Sequence, residues 1–181
     1  MMLANKKKLL FFEIIGALVV SLGAYVFHFL YQWSGKNFAV GLISATNESV
    51  FEHTKILFFP YLIYAIIEYF LLEVDLIRYI VAKSMTAVLI FVLVITVFYT
   101  YSGIIGYHIS YVDIILAFLY IFIAFFISYK LITSRADIEK HIVWAVPLVL
   151  IVLFAEVFFS IYPPHIPLFF DMQDKYYGMP K

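Results

Sequence analysis

At 181 residues, with 65% apolar, 20% aromatic and 13% charged side chains, the chain lies far outside the roughly 45–50% apolar and 25% charged composition of soluble domains. It reads as an integral membrane protein. Twelve basic and twelve acidic residues cancel, which removes any whole-molecule field for nucleic acid or acidic partners, and the absence of cysteine excludes disulfides, thiolate metal sites and cysteine nucleophiles.

The first stretch, MMLANKKKLLFFEIIGALVVSLGAYVFHFLY, opens with the basic residues of a signal peptide. Its apolar run of about 22 residues exceeds the roughly 7–15 of a signal h-region, and no clear small-x-small cleavage site follows, so it reads as a retained first span. Crossing roughly 30 Å of hydrocarbon takes about 20 apolar residues rising about 1.5 Å each. Five segments qualify, approximately 10–31, 54–73, 79–101, 112–131 and 142–162. FAVGLISAT, 38–46, is too short to cross and is expected to form a re-entrant or interfacial half-helix, tolerated in lipid only under cover of other helices. No repeat or low-complexity linker divides the chain, so the expected fold is all-α: one integral membrane helical bundle over residues 1–181, five transmembrane spans and a tail from 163 to 181. Within the first span, the pairs Gly16/Val20 and Ser21/Tyr25 break small-xxx-small spacing, so that helix shows no evident close-packing seam.

Lys6, Lys7, Lys8, Arg78, Lys83, Lys130, Arg135 and Lys140 fall at the N-terminus and even-numbered loops, against Lys36, Lys55, Lys175 and Lys181 on the other side. Basic residues accumulate on the cytoplasmic side, so this bias places the N-terminus in the cytoplasm and the tail outside. The outer side then carries His28, His53, His108 and His165, along with Asn47, Glu48, Glu52, Asp113, Asp171 and Asp174.

The first outer loop holds TNESVFEHTK, 46–55, where Ser49 and Glu52 match a capping box: Ser49 accepts from the Glu52 backbone, and Glu52 reaches back to the Ser49 N–H. That accounts for Ser49 and Glu52 and leaves Asn47, Glu48 and His53 over. Pro60 removes a backbone bond to Ile56 and is expected to kink the second span in its outer third. Glu13 and Glu73, near the inner interface, are expected to snorkel or pair with Lys6, Lys8 or Arg78, with Glu68 about one turn deeper. Glu156 is set apart, because no basic residue of its own span reaches it. A carboxylate at such depth costs about 2.5–3.5 kcal/mol on the insertion scale, so it should be protonated, hydrogen-bonded across helices, or a ligand. In the tail, PPHIP is stiffened by three prolines and fixes His165, so the tail can fold back as a lid. Asp171 and Asp174 lack a full calcium-loop pattern and read as solvated acids.

Two readings fit the outer histidines and acids: solvated loop residues, or loops folded over the bundle to build a metal or acid–base site. Imidazole and carboxylate suit zinc and other divalent ions, commonly as three protein ligands plus a water. The expected ligands are His53, His108 and His165, with Glu48 or Glu52 as base or further ligand and Glu156 as a deeper proton partner. Such a site suits hydrolysis of a lipid or lipid-linked substrate. The alternatives are a small-molecule binding or transport subunit of a membrane importer, and a structural or regulatory membrane protein without catalysis.

WSGKNFAVGLISATNESVFEHTKILFFPYLIYAIIEY at 33–69 and YPPHIPLFFD at 162–171 resemble a family of small bacterial polytopic membrane proteins catalogued only as a domain of unknown function. The resemblance implies a multi-span fold in a bacterial cytoplasmic membrane and supplies no reaction. Its characteristic words are Asn47, Glu48, Ser49, Glu52, His53, Pro163, Pro164 and His165.

Overall fold

The computed structural model describes residues 5–179. Its helices are α1 (Lys6–Trp33), α2 (Phe38–Gly41), α3 (Val50–Leu71), α4 (Leu76–Ile105), α5 (Ser110–Thr133) and α6 (Ile142–Ile161), with 3₁₀ turns at Glu139–His141 and Pro167–Phe169. All but α2 are long and apolar enough to cross a membrane, so the chain is a multi-pass membrane protein with the five expected spans. The expected half-helix shrinks to the four residues of α2, and the chain from Leu42 to Ser49 is irregular.

Local chemistry sets the boundaries. Side chains of Asn5, Asn37, Ser49 and Asp75 accept from backbone N–H groups in the first turns of α1, α2, α3 and α4, which would otherwise lack partners. Gly106, at φ +90°, stops α4 in a left-handed conformation that favours glycine. The α3 helix runs through Pro60. Only half of the expected capping box forms. Ser49 accepts from Glu52 N at 3.3 Å, but the Ser49 N–H donates to Asn47 Oδ1 at 2.8 Å, because the Glu52 carboxylate is drawn inward to Lys55 and Thr46.

Helix α3 packs against α1 and α4; α5 closes on α1 and α4, and α6 lies chiefly against α4. This leaves α3 the most enclosed span. Contrary to the sequence expectation, α1 does have a close-packing seam. A Cβ at Gly16 would stand 2.4 Å from both Phe125 and Tyr64, and one at Gly23 would stand 3.0 Å from Pro60. The two glycines are seven residues apart, with Ala17, Val20 and Ala24 also buried on α1, so the seam repeats every two turns rather than at i, i+4. Lipid-side surfaces of α5 and α6 expose large apolar residues such as Phe126, Trp144 and Phe154.

Polar contacts bind α3 to its neighbours at two depths. Toward its C-terminal end, Lys83 Nζ lies 2.9 Å from Glu13 Oε2 and 2.6 Å from Glu68 Oε2. Ser128 donates to the other Glu13 oxygen at 2.8 Å, and Phe125 lies 4.7 Å from the ammonium in cation–π geometry. The pairing expected of Glu13 with Lys6, Lys8 or Arg78 is therefore replaced by one inside the bundle, where Glu13 and Lys83 are both buried. Arg78 instead clamps the turn after α5. It donates to the carbonyls of Leu131, Ser134 and Ala136 and pairs with Glu139 at 2.8 Å. Toward the N-terminal end of α3, Lys55 pairs with Glu52 at 2.6 Å and donates to Gly41 O and Ser160 Oγ at 2.9 and 2.8 Å.

Candidate functional site

The site forms where α1 ends and α3 begins. Successive antiparallel spans put His28, in the last turns of α1, at the same level as His53, in the first turn of α3. Their rings lie 5.4 Å apart. Ala45 N donates to Phe27 O at 3.3 Å, drawing the loop after α2 back along α1 and bringing Glu48 between the histidines. The Glu48 carboxylate oxygens lie 3.8 Å from His28 Nε2 and 3.4 Å from His53 Nε2. One donor atom from each of the three residues lies within 4.8 Å of the other two, the one such group among the described residues.

A hydrogen bond sets the chemical form of His53. Its Nδ1 lies 2.8 Å from Ser49 O, and a carbonyl can only accept, so Nδ1 carries the hydrogen and Nε2 presents its lone pair to Glu48 when the ring is neutral. This is the backbone-anchored arrangement that orients metal-ligating histidines. When His53 is protonated, the hydrogen bond from its Nε2–H holds the Glu48 carboxyl below its usual range, against the opposing effect of desolvation. Glu48 and His53 side chains keep 38% and 35% of their accessible surface, so the group opens outward.

The tail covers one flank. Asp171, expected to be solvated, is buried at 1% exposure: its Oδ2 accepts from Glu48 N at 2.9 Å and its Oδ1 from the N–H groups of Gln173 and Asp174 at 2.7 and 3.0 Å. Asn47 donates to Gly178 O at 2.9 Å. Phe169 packs on Phe51 with ring centroids 4.6 Å apart. The tail thus folds back onto the 46–49 loop and holds Glu48 through its backbone.

Of the residues singled out from sequence, Glu48 and His53 come together. His108 Nδ1 lies 3.2 Å from Asp113 Oδ2, and His165 stacks on Tyr177 with centroids 4.6 Å apart; neither belongs to the three-residue group. Glu52 is enclosed by Lys55 and by the Thr46 N–H and hydroxyl at 2.8 and 3.0 Å. Glu156 Oε1 lies 2.7 Å from the Thr54 hydroxyl, and its Oε2 is buried without a partner. Sequence reasoning left His28 out of the expected ligands, although its position at the end of one span, facing the start of the next, carried the signal of its proximity to His53.

No curated protein and no solved structure matches the chain. A family model does, over residues 1–179, and so covers the described bundle, the 46–49 loop and the tail that closes on it. The chain belongs to the family of unknown function DUF6512.

Proposed function

We propose that the protein binds a divalent ion of the zinc class through His28, Glu48 and His53, and that it acts as a metal-dependent hydrolase on a lipid or lipid-linked substrate at the membrane interface. One observation carries the reading: two imidazoles and a carboxylate converge with Nε2–oxygen separations of 3.4 and 3.8 Å. Ligands on a tetrahedral ion with bonds of about 2 Å stand about 3.3 Å apart, so small side-chain movements suffice. Three protein ligands leave one position for water or substrate. An ion there supplies Lewis-acid polarisation of an ester or phosphoester oxygen. Ser49 fixes the His53 ring, Asp171 fixes Glu48, and placement at the end of two spans favours substrates that reside in the bilayer.

The reading includes a cell-membrane location with the N-terminus in the cytoplasm, supported by the basic-residue bias. Burial of Lys55 and Lys83 in ion pairs removes one lysine from each side of that count and leaves its direction unchanged. Calorimetric titration of zinc into the full-length protein in detergent is expected to show one site per chain, lost in His28→Ala and in His53→Ala. Release of headgroups from phospholipid vesicles should depend on the same residues. A protein that takes up no zinc, manganese or iron, or whose uptake is indifferent to both substitutions, overturns the proposal.

A further inference from the structure

The end of the bundle where α1 begins and α5 finishes lies opposite the His28–Glu48–His53 group and carries chemistry of its own. Three contacts fix how the two helices run past each other. Ser128 donates to Glu13 at 2.8 Å, a Cβ on Gly16 would stand 2.4 Å from Phe125, and Leu9 and Ile132 share one buried apolar cluster. Each step of three or four residues along α1 is matched by an equal step back along α5, as antiparallel helices in constant register require. One more step of three carries Lys6 to the level of Arg135, two residues beyond the end of α5.

Helical spacing then sorts the lysines by face. Lys6 continues the stripe of Leu9, Glu13 and Gly16, and so stands over the mouth of the α1–α5 seam. Lys7 continues a different stripe, that of Phe11, Ile14 and Leu18, which are 59%, 52% and 50% exposed and face lipid. Helices in contact run about 8–10 Å apart, a gap that lysine and arginine side chains can bridge around one phosphate. The apolar stretch of α1 begins at Leu9, so these cations stand at the level where headgroups meet hydrocarbon.

Their charge is not met from within the chain. Lys6, Lys7, Lys8 and Arg135 are all exposed. The buried cations of this end are paired, Arg78 with Glu139 and Lys83 with Glu13 and Glu68, and among the described residues no ion pair reaches the four exposed ones. The exposed acids here, Glu73, Asp75 and Asp137, lie in the turns between α3 and α4 and between α5 and α6, and Asp75 is committed to capping α4. A soluble anion would answer the charge and leave the apolar stripe below it unused. An anionic lipid answers both.

We propose that this corner of the bundle binds an anionic phospholipid, its phosphate held among Lys6, Lys7 and Arg135 and an acyl chain lying along Phe11, Ile14 and Leu18. Lys8 adds to the attraction as a neighbouring charge. The 28 residues of α1 run about 42 Å, which separates this lipid from the candidate metal ligands at the far end and makes its binding independent of theirs.

Native mass spectrometry of the full-length protein in detergent, titrated with phosphatidylglycerol or phosphatidylcholine, tests the assignment. Phosphatidylglycerol is expected to bind one site per chain in preference to phosphatidylcholine. A cation at an anionic headgroup changes affinity about fivefold, so Lys6→Gln, Lys7→Gln and Arg135→Gln should each weaken phosphatidylglycerol by about that factor, and the three together should abolish the preference. Lys36→Gln, which alters an exposed cation at the other end of α1, should leave it unchanged. Equal binding of the two lipids by the unmodified protein overturns the proposal without recourse to any variant. A preference that survives the triple substitution, or that Lys36→Gln weakens as much, overturns the location. Displacement of phosphatidylglycerol by an equal concentration of inorganic phosphate overturns the lipid and assigns the corner to a soluble anion.

Discussion

Replacing Lys83 by Met removes the ammonium that Glu13 and Glu68 share at 2.9 and 2.6 Å. Without it a negative charge of the pair is left uncompensated, and Glu13 keeps one donor in the cluster, Ser128. It can stay buried only by taking up a proton. For a carboxyl of ordinary pKa about 4.3, drawing that proton from solution at pH 7 costs about 4 kcal/mol, at about 1.4 kcal/mol per pH unit, within the range of roughly 3–5 kcal/mol for breaking a buried pair. The sign is fixed by linkage. The folded variant binds a proton that the unfolded chain does not, so its stability rises as pH falls toward 4.3, and the penalty shrinks to about 1 kcal/mol at pH 5. Adding Glu13→Gln removes the need for the proton and should restore most of the loss at pH 7. Equilibrium unfolding in mixed micelles, followed by the fluorescence of Trp33 and Trp144, measures all three quantities. A penalty below about 1 kcal/mol at pH 7, one that does not shrink on acidification, or one that Glu13→Gln leaves untouched would refute the reasoning.

Gly16→Val should cost about 1–3 kcal/mol through overpacking, since Phe125 and Tyr64 already stand 2.4 Å from where its Cβ would lie; the same unfolding assay reads it. Asp171→Ala removes the acceptor for Glu48 N and for the turn at Gln173 and Asp174, so the tail should become sensitive to limited proteolysis, with a loss of about 1–3 kcal/mol for the orphaned buried donors. Zinc affinity should fall steeply as pH drops below about 6.5, where histidines take up protons in competition with the metal. Glu48 will not set that limit, because its carboxyl, held low by His53, stays ionised until more acid pH. As a depressed carboxyl, it adds stability above its unfolded pKa and loses it as pH falls through the folded one. His53→Ala should flatten that acid limb in a pH–stability profile.

The five spans were legible because lipid demands long apolar helices with internally satisfied backbones, a demand written in composition. The positions of Glu48 and His53 near one face followed from topology alone. What composition could not convey was partner choice. Lys83 could be read as one more basic residue near an interface, yet it turns inward because Glu13 and Glu68 wait on two other helices. Lys55, taken as an outer-side charge, is wholly buried by an interaction with Glu52 only three positions earlier. The glycine seam escaped notice because its period is two turns, set by where aromatic rings of α3 and α5 intrude. His108 and His165 found local partners, Asp113 and Tyr177, and loops with satisfied histidines look the same in sequence as loops that converge.

Helix α3 is also a problem of timing. It reaches the membrane before α4 and α6 have been synthesised, so neither Lys83 nor Glu156 is present to meet it. Glu52 and Lys55 travel as a pair within the helix, which limits the cost of inserting them, whereas Glu68 enters before Lys83, its partner on α4. Final seating of α3 therefore waits on later translation, and the loop that carries Glu48 waits longest of all, for the tail residue Asp171. A ribosome stalled before the tail would leave a membrane-inserted chain whose candidate metal ligands are all made but not yet held in place.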